Sequence, residues 1–211
     1  MYEKDMMETI KTKWFKNHKA KLIHEGNLSI LEWKNPNSVC YYIRYVFDNN
    51  NLYITGDLGF AIFRLTWKAD IHSFNDIGPH YFMEKLEAFS NDKYKFNSET
   101  AIERLSEWKE QCLEEYLEEL DIDDEELEDI KISEDYINIV SRFDNLILEV
   151  KDCSEKDEWV SIIEENEDFI EKYDSDYWEW IYDIGDVIHS RILSYLVGLK
   201  MASNQLNIKE C

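Results

Sequence analysis

The spacing of hydrophobic positions changes near residue 97, and its two sides predict different secondary structure. Before it, short segments rich in β-branched and aromatic residues alternate with turn sequences such as NPN, DNNN and GDLG, a pattern typical of strands. After it, apolar residues recur every three or four positions, which is typical of amphipathic helices. The chain is therefore predicted to be α+β, with an N-terminal antiparallel sheet carrying one or two helices, followed by a helical half.

The first half, residues 1–96, is predicted to hold the sheet. Strands are expected at 28–34, 39–47, 52–55 and 60–67, with helices at about 3–17 and 79–89. The segments between the strands are too short for crossover helices, so the strands should run antiparallel.

The second half, residues 97–211, is predicted to be helical. Helices are expected at 98–120, 154–173 and 176–202, and helix is favoured over strand at 133–149. Ser98 is the expected N-cap of the first helix, and Ser154 with Asp157 has the spacing of a capping box. The last helix is apolar over a broad face and should be the most buried. The two halves could also form one compact unit.

Length and composition place the chain among globular cytoplasmic proteins. Its 211 residues, 44% hydrophobic and 14% aromatic, suffice for one domain or two small ones. Neither a signal peptide nor a stretch of about eighteen apolar residues is present, so secretion and membrane insertion are not expected. The four cysteines form no CxxC pair, which favours reduced thiols over a zinc site or a disulfide framework. These cysteines are Cys40, Cys112, Cys153 and Cys211.

The net charge of −23 lies in one half of the sequence. Residues 1–100 carry 13 acidic and 13 basic residues, whereas residues 101–211 carry 33 acidic and 10 basic residues. A general need for solubility would spread the charge along the chain. A localised field instead favours a partner with a positive surface, such as a basic nucleic-acid-binding protein.

A row of carboxylates follows the predicted helix at 98–120 and continues beyond it. Neighbours three or four residues apart on a helix lie about 5–6 Å apart, so such a row imitates the phosphates of a nucleic-acid strand. The alternative is a solvated acidic face with no partner. The predicted partner-binding face comprises Glu103, Glu107, Glu110, Glu114, Glu115, Glu118, Glu119, Asp121, Asp123 and Asp124.

Two short motifs suggest ligand sites but fit them poorly. An EF-hand loop that began at Asp121 would need glycine at its sixth position and glutamate at its twelfth, where Glu126 and Ile132 stand. The GDLG sequence at 56–59 precedes a predicted strand and not a helix, so a hairpin turn is favoured over a phosphate-binding loop.

Two clusters of titratable residues remain as weaker candidates for an enzyme. Glu179, Asp183, Asp186 and His189 share one side of the predicted last helix, but a metal site would need ligands from a second helix. Asp70, His72, Asp76 and His80 lie close together in sequence without a recognisable nucleophile elbow nearby. No catalytic residue, metal or cofactor is therefore predicted.

The segment NPNSVCYYIRYVFDNNNLYITGDLGFAIFRLTW, followed by FNDIGPHYFMEKL, resembles a family of small proteins encoded by phages and prophages of Firmicutes. Its shared core is a strand–turn–strand motif, which here comprises Ile54, Thr55, Gly56, Asp57, Gly59, Ala61 and Phe63. The resemblance covers about residues 28–90 and leaves the acidic half out. It implies a phage accessory role similar to that of inhibitors of bacterial defence, including anti-CRISPR proteins, and it implies no catalytic residues.

Charge and resemblance together predict a non-enzymatic inhibitor of an RNA-guided nuclease, acting in the host cytoplasm. Its acidic face would mimic DNA and block the groove that reads the target duplex. The alternative is an immunity protein that neutralises a basic nuclease toxin by electrostatic steering. Because Tyr177, Trp178 and Trp180 cannot all face one core, one of them is expected at an interface, with a homodimer as the first candidate.

Overall fold

The N-terminal region forms a six-stranded sheet in which each strand pairs with the next one in sequence. All five pairings are antiparallel, as predicted for the strands that short connections join. The computed structural model describes residues 2–120, 130 and 133–210, with side chains up to residue 207. The strands are β1 (Lys19–Glu25), β2 (Leu28–Lys34), β3 (Ile43–Asp48), β4 (Asn51–Gly56), β5 (Ala61–Arg64) and β6 (Leu86–Phe89).

Helices and one strand pair complete the described chain. The helices are α1 (Tyr2–Thr9, continued by a π-helical turn at Ile10–Trp14), α2 (Pro79–Glu84), α3 (Ser98–Glu119), α4 (Glu134–Val150), α5 (Lys156–Glu165), α6 (Glu167–Tyr173) and α7 (Ser190–Glu210). Two short strands, β7 (Tyr94–Phe96) and β8 (Asp186–Ile188), pair with each other. The predicted α+β class is confirmed, and so is the preference for helix at 133–149.

The two edge strands of the sheet were not predicted. β1 alternates Lys, His and Glu with apolar residues and has little β propensity, so its pairing with β2 decides its structure. β6 lies within the predicted helix 79–89, but the helix ends at Glu84 and Leu86 pairs with Phe63 of β5. In both places tertiary pairing overrides the local pattern.

The single helix predicted at 176–202 is wrong in its first half. The chain there forms short 3-10 turns at Tyr177–Glu179 and Ile181–Asp183, then strand β8, and only then α7. A Cβ on Gly185 would lie 2.3 Å from the Phe96 ring, so the backbone packs where a helical side chain could not fit. Apolar spacing alone does not reveal this constraint.

Helix α7 covers the sheet and is buried all round over residues 192–199, as expected of the last helix. The Tyr45 hydroxyl on β3 donates to the carbonyl of Tyr195 at 3.0 Å, and the Tyr195 hydroxyl donates to the carbonyl of Leu58 at 2.7 Å. Gly198 allows this close approach, because a Cβ there would lie 2.3 Å from the Tyr45 hydroxyl oxygen.

The chain divides into two compact units. Residues 1–94 with 188–211 form one, the sheet unit, and residues 95–187 form the other, the acidic unit. The sequence placed the first boundary at 96/97, close to the observed one. It missed the return at 188, because the buried face of α7 belongs with the sheet and not with the acidic helices.

The acidic unit has its own hydrophobic core. Trp159, Phe143 and Ile163 are fully buried among apolar residues from α3 to α6. The N-caps of two of its helices lie one residue from those predicted. Asn97, not Ser98, caps α3 by accepting from the backbone N–H of Thr100 at 2.8 Å. Glu155, not Ser154, occupies the N-cap of α5, and its N–H donates to Glu158 at 3.2 Å.

The GDLG sequence forms the turn between β4 and β5, as predicted. Gly56 has a φ of +145° and Gly59 a φ of +93°. The N–H of Asp57 donates to the Tyr42 carbonyl at 2.8 Å, and its carboxylate accepts from the Tyr41 N–H at 2.7 Å. The GDLG sequence therefore has a structural role in this chain.

We expect Gly56→Ala to lower the free energy of unfolding by about 2 kcal/mol. A Cβ at this position would lie 2.2 Å from the Tyr42 carbonyl oxygen, on a backbone conformation that favours glycine. The measurement is the midpoint of urea unfolding, with Gly78→Ala as the control because a Cβ there meets nothing within 4 Å. Equal midpoints for the two variants would contradict this account of the turn.

Candidate acidic interface

Helix α3 is held by one apolar face. Leu105, Trp108 and Cys112 lie on this face and are buried in the core of the acidic unit. The Trp108 ring packs edge-on against Phe143 of α4 at 5.0 Å and against Trp180 at 5.3 Å. These contacts fix which side of the helix faces solvent.

The solvent side of α3 carries seven exposed glutamates, which we call the glutamate row. From Glu103 to Glu119 the helix rises about 24 Å, so the row places one carboxylate every 3.5–4 Å or so along its axis. The predicted Asp121, Asp123 and Asp124 lie outside the described residues. The row comprises Glu103, Glu107, Glu110, Glu114, Glu115, Glu118 and Glu119.

Little positive charge lies next to this row. The Arg104 guanidinium contacts Glu107 at 3.0 Å, but both side chains are mostly exposed, so the pair is weak. Lys109 turns away to α4, where its ammonium group lies 2.5 Å from Asp144. Within the described part of the chain, the other six glutamates of the row have no ion pair.

The difference in net charge is larger between the two compact units than between the two halves of the sequence. Residues 95–187 contain 33 acidic and 8 basic residues, a net charge of −25. The remaining residues contain 13 acidic and 15 basic residues, a net charge of +2. The whole excess of negative charge therefore belongs to one compact unit of 93 residues.

The carboxylates that the sequence pattern places on the predicted helix at 176–202 do not form a metal site. Asp183 and Asp186 both bind the Lys156 ammonium group, at 2.9 and 2.7 Å. Burial alone would lower the pKa of Lys156, but the hydrogen bonds to Asp186 and Asp183 outweigh it and raise the pKa. No group of His, Cys, Asp and Glu among the described residues could hold a metal ion.

The cluster at 70–80 joins a loop to α7. The Asp70 carboxylate accepts from the N–H groups of His72 and Ser73, which closes a turn. His72 Nδ1 lies 2.8 Å from the hydroxyl of Ser203, a contact that the sequence could not suggest across 131 residues. Ser203 is fully buried inside a helix and also accepts from Asn75, so this Ser–His pair is a structural link and lacks the exposed position of a nucleophile.

The three clustered aromatic residues have different environments. Tyr177 is buried, and its hydroxyl donates to Glu167 at 2.7 Å. Trp180 is half-buried, and its indole N–H donates to Asp174 at 2.8 Å. Trp178 is 60% exposed and is the most exposed of the three. The homodimer stays a prediction.

An open groove of about 570 Å³ lies on one flank of α3, within the acidic unit. We call it the aromatic–acidic groove, because Trp108, Tyr173 and Trp180 line it together with Glu107, Glu115 and Asp174. Local sequence patterns do not predict this groove, because it combines α3 with the end of α6 and the irregular chain that follows.

Comparisons with known proteins find no match for this chain. No protein-family profile, no curated protein and no solved structure matches it. Of the helices in the described ranges, none has the length and apolar character needed to cross a membrane.

We expect Cys112 to resist alkylation in the folded protein and Cys40 to react. Burial, together with the negative charges of Glu115 and Asp174, raises the pKa of Cys112 to about 11, so only about one thiol in a thousand is ionised at pH 8. Cys40 is exposed. Iodoacetamide labelling at pH 8, followed by peptide mass spectrometry, compares the two sites. Equal labelling rates would show that α3 does not bury this face.

Proposed function

We propose that this chain is a phage-encoded, non-enzymatic inhibitor of a bacterial defence nuclease, acting in the host cytoplasm. The observation that supports it most is the glutamate row, which is exposed on a helix whose opposite face is firmly packed. The resemblance of residues 28–90 to phage proteins adds the biological setting.

The spacing of the glutamate row suits a protein surface that normally binds DNA. One strand of duplex DNA carries a charge about every 3.4 Å along its axis, and the row carries one about every 3.5–4 Å. Proteins hold the DNA backbone largely through Lys and Arg, so a basic groove of this kind offers partners for the carboxylates. The row would then occupy the place of one DNA strand.

The most suitable target is an RNA-guided nuclease of the Cas9 type. Such enzymes hold nucleic acid in a positively charged channel and read a short duplex through arginines, so an acidic helix in that groove would prevent recognition of the target. The nearly neutral sheet unit would serve as a scaffold or a second contact. The negative charge of the acidic unit would also speed the association of an immunity protein with a basic nuclease toxin. Inhibition of a nuclease toxin that uses no guide RNA would support that alternative.

Reversing four charges of the glutamate row should abolish inhibition without unfolding the protein. The variant changes Glu103, Glu110, Glu114 and Glu118 to Lys, all of which are exposed and lie outside the aromatic–acidic groove. Each exposed substitution changes the free energy of unfolding by about 0.5 kcal/mol at most, so the melting temperature should hold. The measurement is cleavage of target DNA by a guide-loaded Cas9-type nuclease over a range of inhibitor concentrations.

The control variant reverses four acids elsewhere on the acidic unit. Glu164, Glu165, Asp168 and Glu171 are exposed, and none of the described hydrogen bonds uses their side chains. We expect this variant to inhibit nearly as well as the original chain, and binding of both to weaken as salt rises from 0.1 to 0.5 M or so. Equal loss of inhibition in the two variants would show that the overall charge of the protein, and not the glutamate row, is responsible. Binding that salt does not weaken would exclude an electrostatic contact.

A further inference from the structure

We propose that the aromatic–acidic groove beside the glutamate row binds an arginine side chain of the partner protein. The inference rests on the proposed function for the identity of the partner but not for the chemistry of the groove. Three aromatic residues and three carboxylates line the groove. A guanidinium group suits this combination, because it stacks on aromatic faces and donates in a fork to carboxylates.

The carboxylates of the groove carry more negative charge than their own chain neutralises. Arg104, which also lines the groove, neutralises one of them, because its guanidinium group contacts Glu107 at 3.0 Å. Among the described residues, Glu115 accepts from the side-chain amide of Gln111 alone, at 2.8 Å. Within the described residues no Lys or Arg pairs with Glu115 or Asp174. The carboxylates of Glu115 and Asp174 are therefore available to bind a second cation.

Asp174 is held in place before any partner arrives. One carboxylate oxygen accepts from the Trp180 indole N–H at 2.8 Å, and the other accepts from the Asp176 N–H at 2.8 Å. Trp180 in turn packs edge-on against Trp108, which is itself buried against α4. Both the carboxylate and the aromatic wall are thus preorganised, which reduces the entropic cost of binding.

The geometry favours an organic cation over a metal ion. A metal ion needs several ligand atoms converging on one point, and no described group of three acidic, His or Cys side chains achieves this. The groove of about 570 Å³ is instead wide enough for a planar side chain. Arginine suits it better than lysine, because the ammonium group of lysine is strongly hydrated and cannot stack. Nucleic acid is disfavoured by the same carboxylates.

The test uses the intact protein and the blocked tripeptides acetyl-Gly-Arg-Gly-amide, acetyl-Gly-Lys-Gly-amide and acetyl-Gly-citrulline-Gly-amide. Binding is followed by the NMR signal of the Trp180 indole N–H, with that of the exposed Trp178, which does not line the groove, as an internal control. We expect a saturable shift of the Trp180 signal with the arginine peptide at about millimolar concentration, a weaker one with lysine, and none with the uncharged citrulline.

Glu115→Gln and Glu114→Gln provide a matched pair of variants. Both positions are exposed neighbours on α3, but only Glu115 lines the groove. We expect Glu115→Gln to weaken binding of the arginine peptide about three- to fivefold and Glu114→Gln to leave it nearly unchanged. Equal binding by both variants, or equal shifts with arginine and citrulline, would overturn the proposal.

The outcome is separable from that of the proposed function. If the arginine peptide binds as expected while the protein inhibits no nuclease, the groove stands and the function fails. If the protein inhibits a nuclease but the peptide does not shift the Trp180 signal, the function stands and the groove proposal fails.

Discussion

The arrangement of the acidic unit depends on the burial of one face of α3. Like charges three or four residues apart on a helix cost a few tenths of a kcal/mol per pair, and the glutamate row contains several such pairs. Burying a large apolar side chain stabilises the fold by about 1.5–3 kcal/mol, and α3 buries Leu105 and Trp108 against the core. Burial therefore outweighs repulsion, and it holds the glutamates outward.

In the sheet unit, the main structural constraint is the close packing of α7 on the sheet. Gly198 of α7 lies over Tyr45, and the two buried tyrosines bond to backbone carbonyls, so the approach leaves their hydroxyl groups satisfied. Because this unit is nearly neutral, the net negative charge of the molecule lies in residues 95–187. In the proposed function one unit supplies charge and the other supplies a stable support.

Local sequence patterns predicted the sheet, its antiparallel order, α3 and α4, because these elements have strong periodicity. They missed β1 and β6, whose pairing partners decide their structure, and they joined β8 to α7 because apolar spacing continues through Gly185. The exposed glutamates of α3 follow from the same periodicity. The aromatic–acidic groove does not, since Trp108 and Trp180 meet only after the chain folds back by more than seventy residues.

In the proposed function the glutamate row contacts a basic nucleic-acid groove of the target. Carbodiimide labelling of carboxylates with glycine ethyl ester, compared between the free protein and its complex with a guide-loaded Cas9-type nuclease, tests this contact most directly. We expect Glu110, Glu114 and Glu118 to lose labelling in the complex while Glu164 and Glu165, exposed on α5, keep it. Unchanged labelling along α3 in a stable complex would contradict it.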